Sequence, residues 1–449
     1  MTSDLKAEFD AFRAANPEIE TIEVLLADIN GIFRGKQMPI SALDKIAKNG
    51  VYFPITTPFL TTNGATADNI LDEYGSDPDR LCVALPGTLT HVPWAAKPTA
   101  QLQLEMLEPD GAPLFASPRL LVQKSLDKLA DLGLTPVSAI EYEFFLFKSG
   151  QMPPEPLTPP NGLPHAADAN CYNLEVFADY QPLMQEIEEA AAVQGIQVEG
   201  LVCEYGNGQF EVNLKHGPDA LKACDDAMLL KRLIRGVAHK HGLLASFMAK
   251  PIHDEVGSGL HAHVSLLNEN GDNIFAGDDG EDLLQQAVAG LLETMPAATS
   301  IFAPNANSYR RFDAEWFAPV VKNWGENNRR LAVRLPLTDK ENRRFEHRVS
   351  GADASPHLVV AAILAGAHHG LANKLSPPEA LGEFDLVDFK DVLPSRWKIA
   401  LDVLEQDKIL GEYFGEKFLK LYYEVRSTEE EEAHVSYFAA DHQQYLRIL

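Results

Sequence analysis

This sequence contains little of what marks secreted or membrane-spanning proteins. Only four of its 449 residues are cysteines, and their spacing fits neither a disulfide framework nor a metal-binding motif. No uninterrupted apolar stretch approaches the roughly 20 residues of a membrane-spanning helix. The first residues lack the basic and apolar regions of a signal peptide. We therefore expect a soluble cytoplasmic protein that has no membrane partner.

Basic residues are scarce as well. The chain has 38 lysines and arginines against 65 aspartates and glutamates, which gives a formal net charge of −27. Nucleic acids bind proteins chiefly through basic residues that neutralise phosphates, so we exclude a nucleic-acid partner. Ordinary core material is abundant, since 45% of the residues are hydrophobic. A chain of this length allows two or three domains at roughly 100–200 residues each.

The strand and helix patterns predict an α+β fold with two domains. The turn Pro109-Asp110-Gly111 follows an alternating segment, so we place a domain boundary there and predict domains at 1–111 and 112–449. Segment 51–100 is expected to form loops and short strands. Beyond the boundary, strands are predicted at 136–147, 196–203, 208–214, 244–250, 259–267, 330–335 and 343–349. Helices are predicted at 119–132, 180–194, 218–241, 281–295 and 356–372. Because these elements do not alternate strictly, an antiparallel sheet is favoured.

Two pairs of glutamates indicate a cation site. Glu141 and Glu143 share one face of an otherwise apolar strand, where two buried carboxylates would repel each other unless a positive charge lies between them. Glu204 and Glu211 flank a glycine-containing turn. The alternatives are an exposed strand face for the first pair and a surface hairpin for the second.

A His-x-His segment follows these glutamates along the chain. Successive residues of a strand point to opposite sides, so His261 and His263 lie on the same face. The preceding Gly257-Ser258-Gly259 lets the backbone approach a ligand closely. Carboxylates combined with imidazole suit Mg²⁺ or Mn²⁺.

Arginines are concentrated between residues 310 and 348 of this acidic chain. A guanidinium group grips phosphate or carboxylate with two parallel hydrogen bonds, so the concentration favours anion binding over a solvated surface. A pocket that combines metal ligands with arginines has the chemistry that ATP-dependent phosphoryl transfer requires.

These motifs, in this order, resemble the glutamine synthetase family over nearly the whole chain. Segments 247–251 and 257–263 are similar to the family's ATP-binding signature, and 141–147 looks like its first metal-binding strand. The resemblance implies the glutamine synthetase fold: a small N-terminal β-grasp domain and a large C-terminal catalytic domain with a curved antiparallel sheet flanked by helices. It also implies an active site between subunits of a homo-oligomer, a dodecamer of two stacked hexameric rings.

The resemblance also implies roles for individual residues, with ATP as a substrate and two or three Mg²⁺ or Mn²⁺ ions per active site. One ion would be held by Glu143, Glu204 and Glu211, and a second by Glu141, His261 and Glu346. Nucleotide and phosphate contacts are implied for His263, Ser265, Arg329, Arg334 and Arg344. Glutamate contacts are implied for Gly257, Arg311 and Arg348. Arg329 and Arg348 are expected to be catalytic.

Several positions depart from the pattern of ammonia-using members. Those members carry an acidic residue where this chain has Phe317, and their ammonium-binding Asp-Gly-Ser-Ser segment is not recognisable in 51–66. Val256 replaces an asparagine, Glu341 replaces a lysine that contacts nucleotide, and no segment with an adenylylated tyrosine is recognisable after Leu375. A phenyl ring gives methylene groups an apolar wall, so Phe317 is expected to bind substrate.

Segments 28–36, 223–227, 230–233 and 307–312 look like the γ-glutamylputrescine synthetase branch. We therefore expect ATP-dependent ligation of glutamate to an organic amine through γ-glutamyl phosphate, with putrescine or another polyamine favoured. The alternatives are ammonia-dependent glutamine synthesis and a different amine, such as ethanolamine, a monoalkylamine or an aniline. An inactive structural member is disfavoured because every metal position is filled. The base that deprotonates the amine stays open, with Glu315 as a candidate.

Overall fold

The computed structural model describes residues 2–151, 154–155, 157–159 and 170–436. The strands are β1 (Thr21–Ala27), β2 (Phe33–Pro39), β3 (Val51–Pro54), β4 (Asp79–Ala84), β5 (Thr90–His91), β6 (Thr99–Met106), β7 (Thr135–Lys148), β8 (Val198–Cys203), β9 (Gln209–Leu214), β10 (Leu243–Ser246), β11 (Leu260–Leu267), β12 (Trp324–Glu326), β13 (Val333–Leu335) and β14 (Phe345–His347). The helices are α1 (Thr2–Ala15), α2 (Leu43–Asn49), α3 (Asp68–Tyr74), α4 (Pro118–Asp131), α5 (Leu174–Asp179), α6 (Gln181–Val193), α7 (Ala220–Lys240), α8 (Gly280–Phe302), α9 (Pro356–Asn373), α10 (Trp397–Gln406), α11 (Ile409–Phe414) and α12 (Glu416–Ser436).

Several predicted elements have different bounds in the structure. α8 continues to Phe302, past the predicted end at 295, because the apolar residues that follow are buried as well. The strand predicted at 244–250 stops at Ser246. The expectation of only loops and strands in 51–100 was wrong, since α3 forms there. Helices α5 and α10 to α12 were not predicted.

The first sheet, β1 to β6, has the strand order β2-β1-β6-β4-β3, with β5 also paired to β6. β1 and β2 form an antiparallel hairpin, whereas β1 and β6 run parallel. A hairpin whose first strand pairs in parallel with the last strand is the arrangement expected of a β-grasp domain. The division at residue 111 stays a prediction, with the first sheet ending at Met106 and α4 beginning at Pro118.

The second sheet, β7 to β14, has the order β12-β13-β14-β11-β7-β9-β8, with β10 also paired to β7. Its pairs are antiparallel as expected, except that β12 and β13 run parallel. α9 is apolar on all sides and packs among α4, α7 and α8, as a helix of this composition must. α8 and α9 approach so closely that a Cβ on Gly290 would lie 2.1 Å from the carbonyl oxygen of Gly366.

The alternation of β7 separates the hydrophobic core from the site. Ile140, Tyr142 and Phe144 are fully buried on the face covered by helices, and α7 packs against this strand. Glu141 and Glu143 therefore face the opposite side. Among the described residues, no helix has both the length and the apolar character needed to cross a membrane.

Candidate active site

Strand register gathers the charged residues on one face of the second sheet. β14, β11, β7 and β9 are neighbours in that order. Across these strands His263 faces Glu346, His261 faces Glu141, and Glu143 faces Glu211. Residues directly opposite each other have Cβ atoms about 4.5–5.5 Å apart. The structure thus brings together the predicted metal ligands, with Glu204 joining them from the turn between β8 and β9.

Two overlapping trios have ligand atoms close enough to share a cation. Glu141, His263 and Glu346 form one trio, and Glu141, Glu211 and His261 form the other, each with its ligand atoms within 4.8 Å of one another. The Glu141 carboxylate lies 3.0 Å from Nε2 of His263 and 3.6 Å from Nδ1 of His261. The sequence-based division assigned His263 to the nucleotide instead. That division stays a prediction, and His263 becomes an additional candidate ligand.

Burial and mutual repulsion make these carboxyls hard to ionise together. Burial, with repulsion from Glu141, Glu143 and Glu204, raises the pKa of Glu211 to about 9. Burial and the charge of Glu143 raise the pKa of Glu204 to about 7. Burial also opposes ionisation of Glu141, but the neighbouring His261 and His263 outweigh it and lower that pKa. A divalent cation among these groups would relieve the repulsion, so the residues fit Mg²⁺ or Mn²⁺.

Glu346 is held between two arginines in the interior. Its carboxylate accepts a hydrogen bond of 2.7 Å from Nη1 of Arg334 and another from Nη1 of Arg348. Burial opposes ionisation of Glu346, but the positive charges around it, led by Arg348, lower its pKa. Nε of Arg348 also donates to the carbonyl oxygen of Arg329 at 3.2 Å. These contacts fix Glu346 as an ionised group.

A first cavity, of about 250 Å³, opens beside the carboxylates. Predicted site residues that line it are Glu143, Glu204, Glu211, His261, Gly257, Arg311, Phe317, Arg329 and Arg348. Arg329, which the sequence placed with the nucleotide, thus lines the cavity of the predicted glutamate contacts. Lining residues that sequence reasoning missed include Tyr172, Tyr205, Gln209 and Trp316. Glu315, the candidate base, lines it as well.

A second cavity, of about 600 Å³, includes Glu141 and His263 in its lining. Ser265 and Arg344, both predicted nucleotide contacts, line this cavity together with Glu341. Nε of Arg344 donates to Nδ1 of His263 at 3.2 Å. The cross-strand pair His261 and Glu141 contributes one residue to each cavity, so the candidate metal ligands lie where the two cavities meet.

Two hydrogen bonds hold the glycine loop 257–259 that precedes β11. The backbone N–H of Gly259 donates to Oε2 of Glu143 at 2.7 Å, and Nε2 of Gln209 donates to the carbonyl oxygen of Gly257 at 3.0 Å. A Cβ on Gly257 would lie 2.6 Å from a carbonyl oxygen and 2.7 Å from Cγ of Arg311. Only glycine therefore fits beside the buried Arg311. Gln209 was missed because its partner is distant in sequence.

Comparison with known proteins places this site in a family. The family profile described as glutamine synthetase, catalytic domain, matches residues 115–445. The chain belongs to the glutamine synthetase family. This agrees with the resemblance drawn from the motifs.

Relatives in the glutamine synthetase family include enzymes named for amines. The γ-glutamylputrescine synthetase PuuA of Escherichia coli (strain K12) is 40% identical over 426 residues, which cover 92% of this chain and 89% of that protein. The glutamate–isopropylamine ligase of Pseudomonas sp is 33% identical over 374 residues, which cover 81% of this chain and 80% of that protein. A solved structure of a GmaS–ADP complex has a TM-score of 0.83 at 26% identity and covers 100% of both chains.

Four aromatic residues line the first cavity of this glutamine synthetase family member. Phe317 adopts a left-handed backbone conformation with φ of 57°. Its ring stacks on that of Tyr205, with centroids 6.3 Å apart, and the guanidinium group of Arg330 lies 5.4 Å from its centroid. Tyr205 is 58% exposed and Tyr172 is 60% exposed. We call Tyr172, Tyr205, Trp316 and Phe317 the aromatic group. Such exposed rings beside a cavity are available to a ligand.

Proposed function

We propose that this chain uses ATP to ligate glutamate to an organic amine, with putrescine or a longer polyamine as the favoured amine. The observation that carries the proposal is Phe317, which lines the first cavity within the aromatic group. The resemblance places an acidic residue there in ammonia-using members. A phenyl ring cannot hold ammonium as a carboxylate does, but it packs against carbon. The 40% identity to the Escherichia coli γ-glutamylputrescine synthetase supports the same choice.

The two cavities suggest how the substrates are arranged. ATP would lie in the second cavity, where Arg344 and Ser265 can contact its phosphates. Glutamate would lie in the first cavity near Gly257 and Arg311. Two or three Mg²⁺ or Mn²⁺ ions bound where the cavities meet would neutralise the charge of the transferring phosphoryl group.

The reaction then has two steps. The side-chain carboxylate of glutamate attacks the γ-phosphorus of ATP, ADP leaves, and γ-glutamyl phosphate forms. The amine nitrogen attacks the activated acyl carbon, the bond to phosphate breaks, and an amide and inorganic phosphate result. Arg329 and Arg348 line the first cavity, where their guanidinium groups would stabilise charge on the transferring phosphoryl group and on the departing phosphate.

The amine must lose a proton before it attacks. A primary amine resembles a lysine side chain, with a pKa of about 10.4, so it arrives as a cation. Glu315 lines the same cavity as Phe317, which makes it the candidate acceptor of this proton. The exposed rings of Tyr172 and Tyr205 would contact the methylenes and the distal ammonium of a diamine.

A panel of amines tests this proposal. Phosphate release is measured with ATP and glutamate, comparing ammonium with putrescine, longer polyamines, ethanolamine, isopropylamine and aniline. The highest kcat/KM for putrescine or a polyamine supports the proposal. A preference for isopropylamine would favour the monoalkylamine alternative. The 33% identity to the Pseudomonas ligase is the observation that supports this alternative. A preference for ammonium would return the chain to glutamine synthesis.

The proposal includes assembly and location. The family resemblance implies a homo-oligomer, with a dodecamer of two hexameric rings as the expected form. Exposed apolar side chains support burial in such an assembly, since Leu337, Phe384 and Leu386 are each more than four-fifths exposed, at 85%, 89% and 83%. A cytoplasmic location, without nucleic-acid or membrane partners, stays a prediction from composition.

A further inference from the structure

A third cavity, of about 670 Å³, lies on the helix side of the second sheet. We call it the α7 cavity. One wall is the face of α7 that carries Lys231, Arg232, Arg235, His239 and Lys240, and the other wall comes from residues 31–33 and 94–96. Segments 28–36 and 230–233, which were singled out in the sequence, both contribute to this cavity and to neither of the two described above.

Every ionisable side chain in the lining of the α7 cavity is basic, in a chain with a net charge of −27. Two of these side chains have acidic partners, since Arg232 pairs with Glu23, and Lys240 lies 2.5 Å from Glu186. Lys231 and Arg235 have no carboxylate within ion-pairing distance among the described residues. A concentration of unpaired positive charge inside a concave surface favours a bound anion.

Lys231 is the buried member of this set, with 4% of its surface exposed. Its Nζ donates one hydrogen bond of 2.9 Å, to the carbonyl oxygen of Ala352, and faces the rings of Tyr142 and Phe247 at 5.7 and 5.3 Å. An ammonium group has three donors, and among the described residues Ala352 supplies its only hydrogen-bond acceptor. Burial and the charge of Arg235 lower the pKa of Lys231 to about 7, against the opposing charges of Asp353 and Asp28, and a bound anion would favour its charged form.

Trp94 gives the α7 cavity a flat apolar wall. A Cβ on Gly236 would lie 2.2 Å from atoms of the Trp94 indole, so the ring lies directly against the helix. The guanidinium group of Arg232 lies 5.8 Å from the centroid of the same ring. Arg235 is exposed to solvent, and its planar guanidinium can grip a phosphate or carboxylate with two hydrogen bonds.

We propose that the α7 cavity is a second anion-binding site, separate from the active site, for a small ligand whose phosphate or carboxylate groups contact Lys231 and Arg235. The carbon part of such a ligand would pack on Trp94. The proposal does not depend on which amine the enzyme uses.

Titration with inorganic phosphate and with succinate tests this site. The midpoint of thermal unfolding is followed in metal-free buffer, with sodium chloride at matched ionic strength as the control for screening. The informative variant is Arg235→Gln. Lys222→Gln is the matched control, because Lys222 is an exposed cation on the same helix and lies outside the cavity. Arg344→Gln identifies any phosphate that binds in the second cavity of the active site.

We expect a saturable rise in the midpoint that Lys222→Gln and Arg344→Gln retain. Losing one charge-assisted contact should weaken the apparent affinity of Arg235→Gln about tenfold or more. A saturable rise in the midpoint with either anion supports the site. The anion that binds more tightly identifies whether the ligand group is a phosphate or a carboxylate. The proposal is overturned if neither anion gives a saturable rise. It is also overturned if Arg235→Gln titrates like the unmodified protein, or if the response disappears only in Arg344→Gln. Lys231→Met should weaken anion binding to a similar extent. If Lys231→Met does not fold, the result for Arg235→Gln tests the proposal by itself.

Discussion

Glu143 and Glu211 face each other directly across the antiparallel strands β7 and β9. Burial and the charge of its carboxylate neighbours raise the pKa of Glu211 to about 9, and similar causes raise that of Glu204 to about 7. In metal-free protein these raised pKa values favour the protonated forms of Glu211 and Glu204 near neutral pH. A divalent cation binds the carboxylate form, so its binding must displace protons.

The first prediction is that Mg²⁺ or Mn²⁺ binding releases protons near pH 7 and that the apparent metal affinity rises as pH increases towards 9. These carboxyls hold protons more tightly in the native than in the unfolded state. Their contribution to the stability of metal-free protein is thus lost as pH rises through the folded pKa values of about 7 and 9. Calorimetric titration in buffers of different ionisation enthalpy measures the released protons. Glu211→Gln should release fewer, and metal binding without proton release would contradict the prediction.

The second prediction concerns activity when a candidate metal ligand is removed. Glu143→Ala and His261→Ala should each lower kcat/KM by more than about 100-fold, because even residues that only support metal ligands cost about 10–100-fold when changed. Chelating the divalent ions should abolish turnover. The matched controls are Glu326→Ala and His241→Ala, at an exposed strand residue and at the end of α7. Full activity of either ligand variant would refute the metal assignment.

The third prediction separates a buried ion pair from an exposed one. Glu346 is 1% exposed and accepts from Arg334 and Arg348, so Glu346→Ala leaves uncompensated buried charge and should cost about 3–5 kcal/mol of stability. Glu281→Ala removes the exposed partner of Arg343 at 3.0 Å and should cost about 0–1 kcal/mol. Thermal unfolding at one fixed protein concentration compares them. Similar midpoints for the two variants would show that the Glu346 network is not structurally important.

The fourth prediction is that the protein assembles. A monomer has a mass of 49.4 kDa, and the family resemblance implies an active site shared between subunits. Size-exclusion chromatography with light scattering should therefore give a mass many times that of the monomer, consistent with a dodecamer. An active monomer would contradict the expected assembly.

Elements with strong local patterns were predictable from the sequence. α7 and β7 lie within a residue or two of their predicted bounds, because apolar residues repeat with helical or strand periodicity. The Glu-x-Glu and His-x-His pairs predicted the cluster of candidate metal ligands, because alternation alone places each pair on one face. Helix α3 was missed because the prolines and glycines spread through 51–100 are typical of loops.

Contacts between distant segments were not predictable. The placement of Arg329 in the first cavity and of His263 beside Glu141 depends on strand register and loop packing. The positions of Tyr172 and Tyr205 of the aromatic group were not predictable either, because both residues lie in surface loops whose path to the cavity has no sequence pattern. Exposed aromatic residues next to a predicted metal ligand, as Tyr205 is to Glu204, were the available signal.

The fifth prediction concerns the choice of amine. Phe317→Glu should shift the ratio of kcat/KM for putrescine to that for ammonium towards ammonium, because a carboxylate can hold and deprotonate ammonium. Phe317→Gln is the matched control, since glutamine has nearly the same shape as glutamate but carries no charge. It should lose apolar contact with putrescine without gaining activity towards ammonium. An identical ratio in Phe317→Glu and the unmodified enzyme would remove Phe317 from the specificity argument.

The central claim is tested most directly by the kcat/KM ratio of the unmodified enzyme, from phosphate release with ATP and glutamate. Burying three or four methylenes at about 0.8 kcal/mol each, discounted for incomplete burial, favours putrescine over ammonium by roughly 2–3 kcal/mol. The predicted ratio is therefore about 30- to 150-fold in favour of putrescine or a longer polyamine. Equal or faster turnover with ammonium would contradict the account and identify an ordinary glutamine synthetase.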